Sequence, residues 1–178
     1  MIETERLLLR AWQLSDEAPF VALNADPEVT RYLRGPMRRD ESDELLARIR
    51  GHWQEHGFGL YAVEVKDGGA FAGFVGLAVP SFLPEVLPAV EVGWRLAREH
   101  WGNGYATEGA RASLAHGFGA LGLRQIISII DPRNAASVRV AERLDMTRGR
   151  DRIHPITRER LAVYAKNPEN AGSSSEPS

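Results

Sequence analysis

Five consecutive residues, Ile126-Ile127-Ser128-Ile129-Ile130, carry apolar side chains toward both faces of whatever strand they form. A strand that alternates apolar and polar can leave one face in water. This one cannot, and such runs belong to central strands with helices covering both sides of the sheet. Its neighbours in the chain agree. A strand pattern at Ala89 to Leu96 is followed by a helical one at about Tyr105 to Leu121. After Gln125 to Asp131, which holds the isoleucine run, comes a second helical pattern at about Ala135 to Leu144. Strand, helix, strand in that order closes as a right-handed parallel crossover. The fold class is therefore α/β.

The N-terminal half supplies antiparallel material. Arg6 to Trp12 is β-like, and Ser15-Asp16-Glu17 can cap a helix carrying Phe20, Val21 and Leu23 that stops at Asp26-Pro27. Leu45, Leu46, Ile49 and Trp53 recur at helical spacing within Asp40 to Glu55. Leu60 to Lys66 alternates, Asp67-Gly68-Gly69 signals a hairpin, and Ala70 to Val79 returns. Pro80 to Pro88 reads as a loop, and a weaker strand pair runs to about Ala165. The sum is a mixed central sheet of about six to seven strands flanked by about four helices, in one domain over residues 1–166. The polar, low-complexity end, residues 167–178, reads as a disordered tail.

Composition narrows the function classes. The 178 residues are 43% apolar, with a net charge of −2, which gives no field for nucleic acid or membrane surfaces. There is no cysteine, so disulfides, zinc thiolates and a cysteine nucleophile are excluded. His52 and His56 are four apart on a helix but lack an HExxH frame, and no metal is assigned. The first residues, MIETERLLLRAW, do not read as a signal peptide, and no window approaches a membrane span. These features together point to a cytoplasmic setting.

The segment His100-Trp101-Gly102-Asn103-Gly104-Tyr105-Ala106-Thr107 joins a strand to a helix. The first N–H groups of that helix have no helical partners, and Gly102 and Gly104 remove side chains that would block an approaching ligand. A helix N-terminus of this kind is an anion site, most often for phosphate. A strand-to-helix turn that merely needs glycine is the plain alternative. Neither GxGxxG nor GxxxxGK[ST] fits the spacing, so the dinucleotide and Walker loops are set aside.

The run EVGWRLAREHWGNGYATEGARASLAHGF, followed by DPRNAASVRVAERLDM, resembles the GNAT superfamily of acetyltransferases, in its RimJ/RimL-like branch. The likeness starts at TERLLLR, continues through NADPEVTRYL and FAGFVGL, and fades after about Arg150. It implies the GNAT fold, acetyl-CoA as co-substrate and a primary amine as acceptor, either a protein or peptide N-terminus or a small amine. It also implies that backbone groups of the loop from Glu99 through Trp101, Gly102, Asn103 and Gly104, and of Tyr105, Ala106 and Thr107 beyond it, hold the pyrophosphate. Backbone groups of Gly93, Trp94 and Arg95 would pair with the pantetheine arm. Two departures stand out: Glu99 where Gln or Arg is common, and Asp145-Met146 where Gly-Phe usually follows the last helix.

Amine acetylation needs a base for the amine, donors for the oxyanion and a proton for the leaving thiolate. Glu91 shares a strand face with Gly93 and Arg95. It reads either as a surface or salt-bridged glutamate, or as a general base with a pKa raised by partial burial, acting directly or through a water. Many family members have a Glu at this strand position. Asn134 and Ser137 read as helix caps. The resemblance instead gives Asn134 a contact to pantetheine and Ser137 the role of acid to the thiolate. Arg139 and Arg143 share a helix face, either solvated or, for Arg143, reaching the CoA 3′-phosphate. Tyr164 is a weaker alternative acid or base. With no cysteine for an acyl-enzyme and no His/Asp pattern around a serine, transfer is expected by direct attack in a ternary complex. A non-catalytic acyl-CoA-binding regulatory module is the competing function, and a homodimer is common in this branch.

Overall fold

The computed structural model describes residues 1–168. Most of the expected tail, residues 169–178, lies outside them. Strands β1 (Ile2–Glu3) and β2 (Leu7–Arg10) precede helices α1 (Glu17–Ala25) and α2 (Arg39–His56). Then come β3 (Leu60–Val65), β4 (Ala70–Ala78) and β5 (Val90–Leu96), helix α3 (Tyr105–Gly119), β6 (Ile126–Ile130) and α4 (Ala135–Arg143). Short β7 (Thr147–Arg148), short β8 (Arg152–Ile153) and full-length β9 (Arg160–Lys166) complete the described chain.

The sheet runs β1-β2-β3-β4-β5-β6-β9-β7, with β8 hydrogen-bonded to β9. It has nine strands rather than the six to seven expected. The surplus comes from the two-residue pieces β1, β7 and β8, which are too short to leave a periodic signature. All pairings are antiparallel except β5 with β6, which α3 connects as the expected crossover.

The two faces carry separate cores. On one, Val63, Val75, Val92 and Ile126 pack with Ala110 and Leu114 of α3 and Ala141 of α4. On the other, Phe20 and Leu23 of α1 and Leu46 and Ile49 of α2 close over Phe74. β6 takes its helical cover from the α3/α4 side, whereas α1 and α2 pack over β4. Helices on both faces therefore describe the sheet as a whole and not the isoleucine strand itself. That strand sits between β5 and β9, with Ile126, Ile127, Ser128 and Ile130 buried.

Two local expectations change. Asp16 does not cap α1 with its side chain. Its carboxylate faces Arg10 in a two-point contact, 2.8 Å on each arm, and also accepts the Gln13 N–H. The Asp145-Met146 departure leaves the turn intact. Asp145 takes the left-handed conformation, φ 56°, that glycine would adopt freely, and Met146 is buried in the larger core. Lys166 steadies this corner by donating to the Leu144 carbonyl at 2.7 Å.

Candidate active site

The site grows from a fork in the sheet. β5 and β6 are paired only at Val90–Ile126 and Glu91–Ile127. Beyond those pairs Val92–Leu96 continues along β4 without β6, and Ser128–Ile130 follows β9 instead. Backbone groups on the facing edges of the fork are left without strand partners.

Glu91 stands at its apex. One carboxylate oxygen accepts the Ile129 N–H at 3.2 Å, occupying a donor that a continued ladder would have used. The residue is half-buried, and removal of the carboxylate from water pushes its pKa from the ordinary 4.5 up to about 7, against the smaller lowering effect of that N–H. No cation pairs with it among the described residues, which sets aside the salt-bridged reading. A carboxylate poised near neutrality is what proton abstraction at neutral pH requires.

The open end of the fork leads to the glycine segment. Gly102 and Gly104 have φ of 78° and 80°, so both use the left-handed region that favours glycine. A Cβ on Gly102 would meet nothing within 4 Å, and one on Gly104 only the Arg6 Nη2 at 3.5 Å. No acceptor among the described residues takes the N–H groups of Gly104, Tyr105, Ala106 or Thr107. Thr107 adds a buried hydroxyl that also lacks a partner. Orphaned donors at a helix N-terminus, beside backbone cleared of side chains, fit a phosphate diester. The side chains of Trp101 and Asn103 brace the loop: the indole N–H donates to the Leu96 carbonyl at 2.8 Å, and the Asn103 amide donates to the His100 and Trp101 carbonyls.

A cleft of about 540 Å³ opens beside this loop, lined by Glu5, Arg6, Gly104, Thr107, Glu108, Arg111 and Arg143. Sequence reasoning placed Arg143 here but missed Arg6 and Arg111. Arg6 donates to the Asn103 carbonyl at 2.9 Å and to Glu108 at 2.7 Å, with its guanidinium over the Tyr105 ring. It thereby ties the residue before β2 to the loop and neutralises the acid in the first turn of α3. The TERLLLR run was the available signal, but nothing local in it reveals a contact about a hundred residues away. Arg111 donates to the Arg143 carbonyl at 2.9 Å, which brings the two helices' cations together.

At the start of α4, the Asn134 side chain accepts the Ser137 N–H at 3.1 Å, so Asn134 is the cap. The Ser137 hydroxyl makes no hydrogen bond among the described residues and is half-buried. Tyr164 is buried in the core on the α3/α4 face of the sheet. His52 is held by backbone on both ring nitrogens, Phe58 O and Val79 N–H each at 2.9 Å, and offers no lone pair to a metal.

Residues 6–147 match the Acetyltransferase (GNAT) domain. The uncharacterized protein YkkB of Bacillus subtilis (strain 168) is 38% identical over 144 residues, covering 80% of this chain and 83% of that one. A crystal structure of an acetyltransferase from Agrobacterium tumefaciens str. C58 superposes with a TM-score of 0.82 at 26% identity, over 94% of each chain. The fold recurs in a Vibrio cholerae spermidine N-acetyltransferase solved with CoA and spermine, with a TM-score of 0.74 at 19% identity, over 92% of this chain and 96% of that one. Among the described residues no helix is long and apolar enough to cross a membrane. A forked sheet, a side-chain-free loop of unpartnered donors and a domain match over most of the length agree, and the chain belongs to the GNAT family of acyl-CoA-dependent acetyltransferases.

Proposed function

We propose that this chain is a cytoplasmic, RimJ/RimL-like N-acetyltransferase that moves the acetyl group of acetyl-CoA to a primary amine by direct attack in a ternary complex. The observation that carries this reading is Glu91 in the apex of the β5/β6 fork, with no cation beside it and its pKa pushed up to about 7.

The residues divide the work by position. The N–H groups from Gly104 to Thr107 and the Thr107 hydroxyl suit the pyrophosphate. Arg6, Arg111 and Arg143 line the cleft suited to the 3′-phosphate. The free edge of β5 at Gly93, Trp94 and Arg95 suits the pantetheine amides, which would add to the sheet as a strand does, and Asn134 borders the same arm. Acetyl-CoA supplies an activated thioester carbonyl. Glu91 takes one proton from the incoming ammonium, the freed amine forms the new C–N bond, and the nitrogen of the tetrahedral intermediate gives a second proton to solvent as the C–S bond breaks. The Ser137 hydroxyl gives its proton to the departing thiolate and regains one from solvent. The net change releases one proton to solvent, and the chain has no cysteine for a thioester relay.

The test is release of free thiol from acetyl-CoA across a panel of peptides with free N-termini and small amines, with N-acetylated product identified by mass. Amine-dependent release is expected. Tight acetyl-CoA binding with no release against any amine would favour the non-catalytic module.

A further inference from the structure

On the α1/α2 face of the sheet, Glu91, Gly93 and Arg95 form one row along β5, and all three keep partial exposure while Val90, Val92 and Leu96 on the opposite face are buried. Partial exposure of a row on a central strand means that α1 and α2 do not cover it completely. Gly93 pairs in register with Gly76 of β4, so the middle of the row carries no side chain. A Cβ built on Gly93 would meet nothing within 4 Å. The result is a shallow trough five residues long, roughly 13 Å between its end Cα atoms, with the candidate base at one end and an arginine at the other.

That arginine lacks what its position calls for. Arg95 has no carboxylate within salt-bridge distance among the described residues, although most of its charged head is withdrawn from water, which pulls its pKa down to about 10. Its one hydrogen bond goes to the Asn24 Oδ1 at 2.5 Å, and its guanidinium lies over the Phe74 ring. Because Arg95 can only donate, it fixes the Asn24 amide with oxygen toward itself and leaves the NH₂ as the free end. That NH₂ is buried and has no partner. Two donor groups with unused N–H bonds therefore meet at the end of the row, Asn24 fully buried and Arg95 largely so, and no side-chain carboxylate among the described residues pairs with them. A dehydrated cation without a counter-charge is costly, and a planar carboxylate is the group that matches a guanidinium fork.

We infer that the trough seats the amine acceptor, and that Arg95 with Asn24 selects acceptors carrying a carboxylate several atoms from the amine that reaches Glu91. This rests on the acetyltransferase reading and deepens it to a substrate class. An ω-amino acid and a peptide whose second residue is acidic present that same chemistry. A polyamine would bring a second cation to a niche that already holds an unpaired one.

The experiment compares each acceptor with its uncharged amide: ω-amino acids of increasing length against their primary amides, and short peptides with Asp or Glu second against the same peptides with Asn or Gln. The acid is expected to have a KM about tenfold or more below its amide, and the better series tells small molecule from peptide. Arg95→Gln should raise the acid's KM to that of the amide, which a merely structural arginine would not do. Gly93→Leu should raise KM for acid and amide alike, since its side chain fills the trough without a backbone clash. Equal KM values for acid and amide in the unaltered protein, or an unchanged ratio in Arg95→Gln, overturn the inference. If Arg95→Gln fails to fold, the ratio in the unaltered protein decides alone. If no amine is acetylated, thermal unfolding of the CoA complex with the same acids and amides still decides. Stabilisation by acids only supports the niche even as the catalytic reading falls, and no difference between them ends it.

Discussion

Glu91→Gln is expected to lower kcat by a factor of about 10² to 10⁴, the range that positioned proton transfer contributes. The substitution is nearly isosteric, and a Gln oxygen can keep accepting the Ile129 N–H, so the fork should hold. Two further readouts separate a base from a structural glutamate. With a peptide acceptor, kcat/KM of the unaltered enzyme should climb as pH rises through about 7, where Glu91 becomes ionised. The variant should lose that limb and keep only the rise from the acceptor's own amine. Stability should move the other way. Burial favours protonated Glu91, so the unaltered protein loses stability as pH rises from 4.5 through about 7. Glu91→Gln removes that loss and should melt higher than the unaltered protein at pH 8. A variant with full turnover and an unchanged pH profile would remove Glu91 from the chemistry.

Arg10→Met should destabilise the fold by about 3–5 kcal/mol. Arg10 is 9% exposed and Asp16 1%, and the guanidinium grips the Asp16 carboxylate with two bonds while donating to Glu64 at 2.7 Å. Met fills a similar volume but leaves the Asp16 charge buried with only the Gln13 N–H beside it. For a chain of this length that corresponds to a drop in Tm on the order of 10 °C. The double variant Arg10→Met/Asp16→Asn, which removes both charges, should recover part of the loss. Thermal unfolding measures both. A shift of under about 2 °C in the single variant would mean that the pair contributes little.

The Arg10–Asp16 pair also marks where sequence reading stops. Ser15-Asp16-Glu17 before an apolar run has the composition of a helix start, and a helix does start at Glu17. The carboxylate was claimed by a strand residue six positions earlier, which composition does not reveal. Elements long enough to repeat a pattern were legible: α2, the β3–β4 hairpin and the β5-α3-β6 crossover all fall within a residue or two of their expected bounds. The two-residue strands were not. Within the candidate site, the glycine loop was legible because positive φ demands a residue type, and Glu91 because a mid-strand carboxylate is conspicuous. Arg6 and Arg111 were not, since they reach the cleft only through folding. The unpaired state of Arg95 was not either, because a missing partner is a fact of three dimensions.

The measurement that bears most directly on the account is thermal unfolding with acetyl-CoA, CoA and ATP titrated separately, on the unaltered protein and on Gly104→Ala. Acetyl-CoA and CoA at a hundred times their Kd should each add about 2.7 kcal/mol, a rise of about 5–10 °C for a chain of this size, while ATP adds little. Gly104→Ala forces a side chain into φ 80° beside the unpartnered N–H groups and should lose most of that rise. No rise with saturating acetyl-CoA, or an equal one with ATP, would contradict the assignment of the glycine loop to the pyrophosphate of CoA.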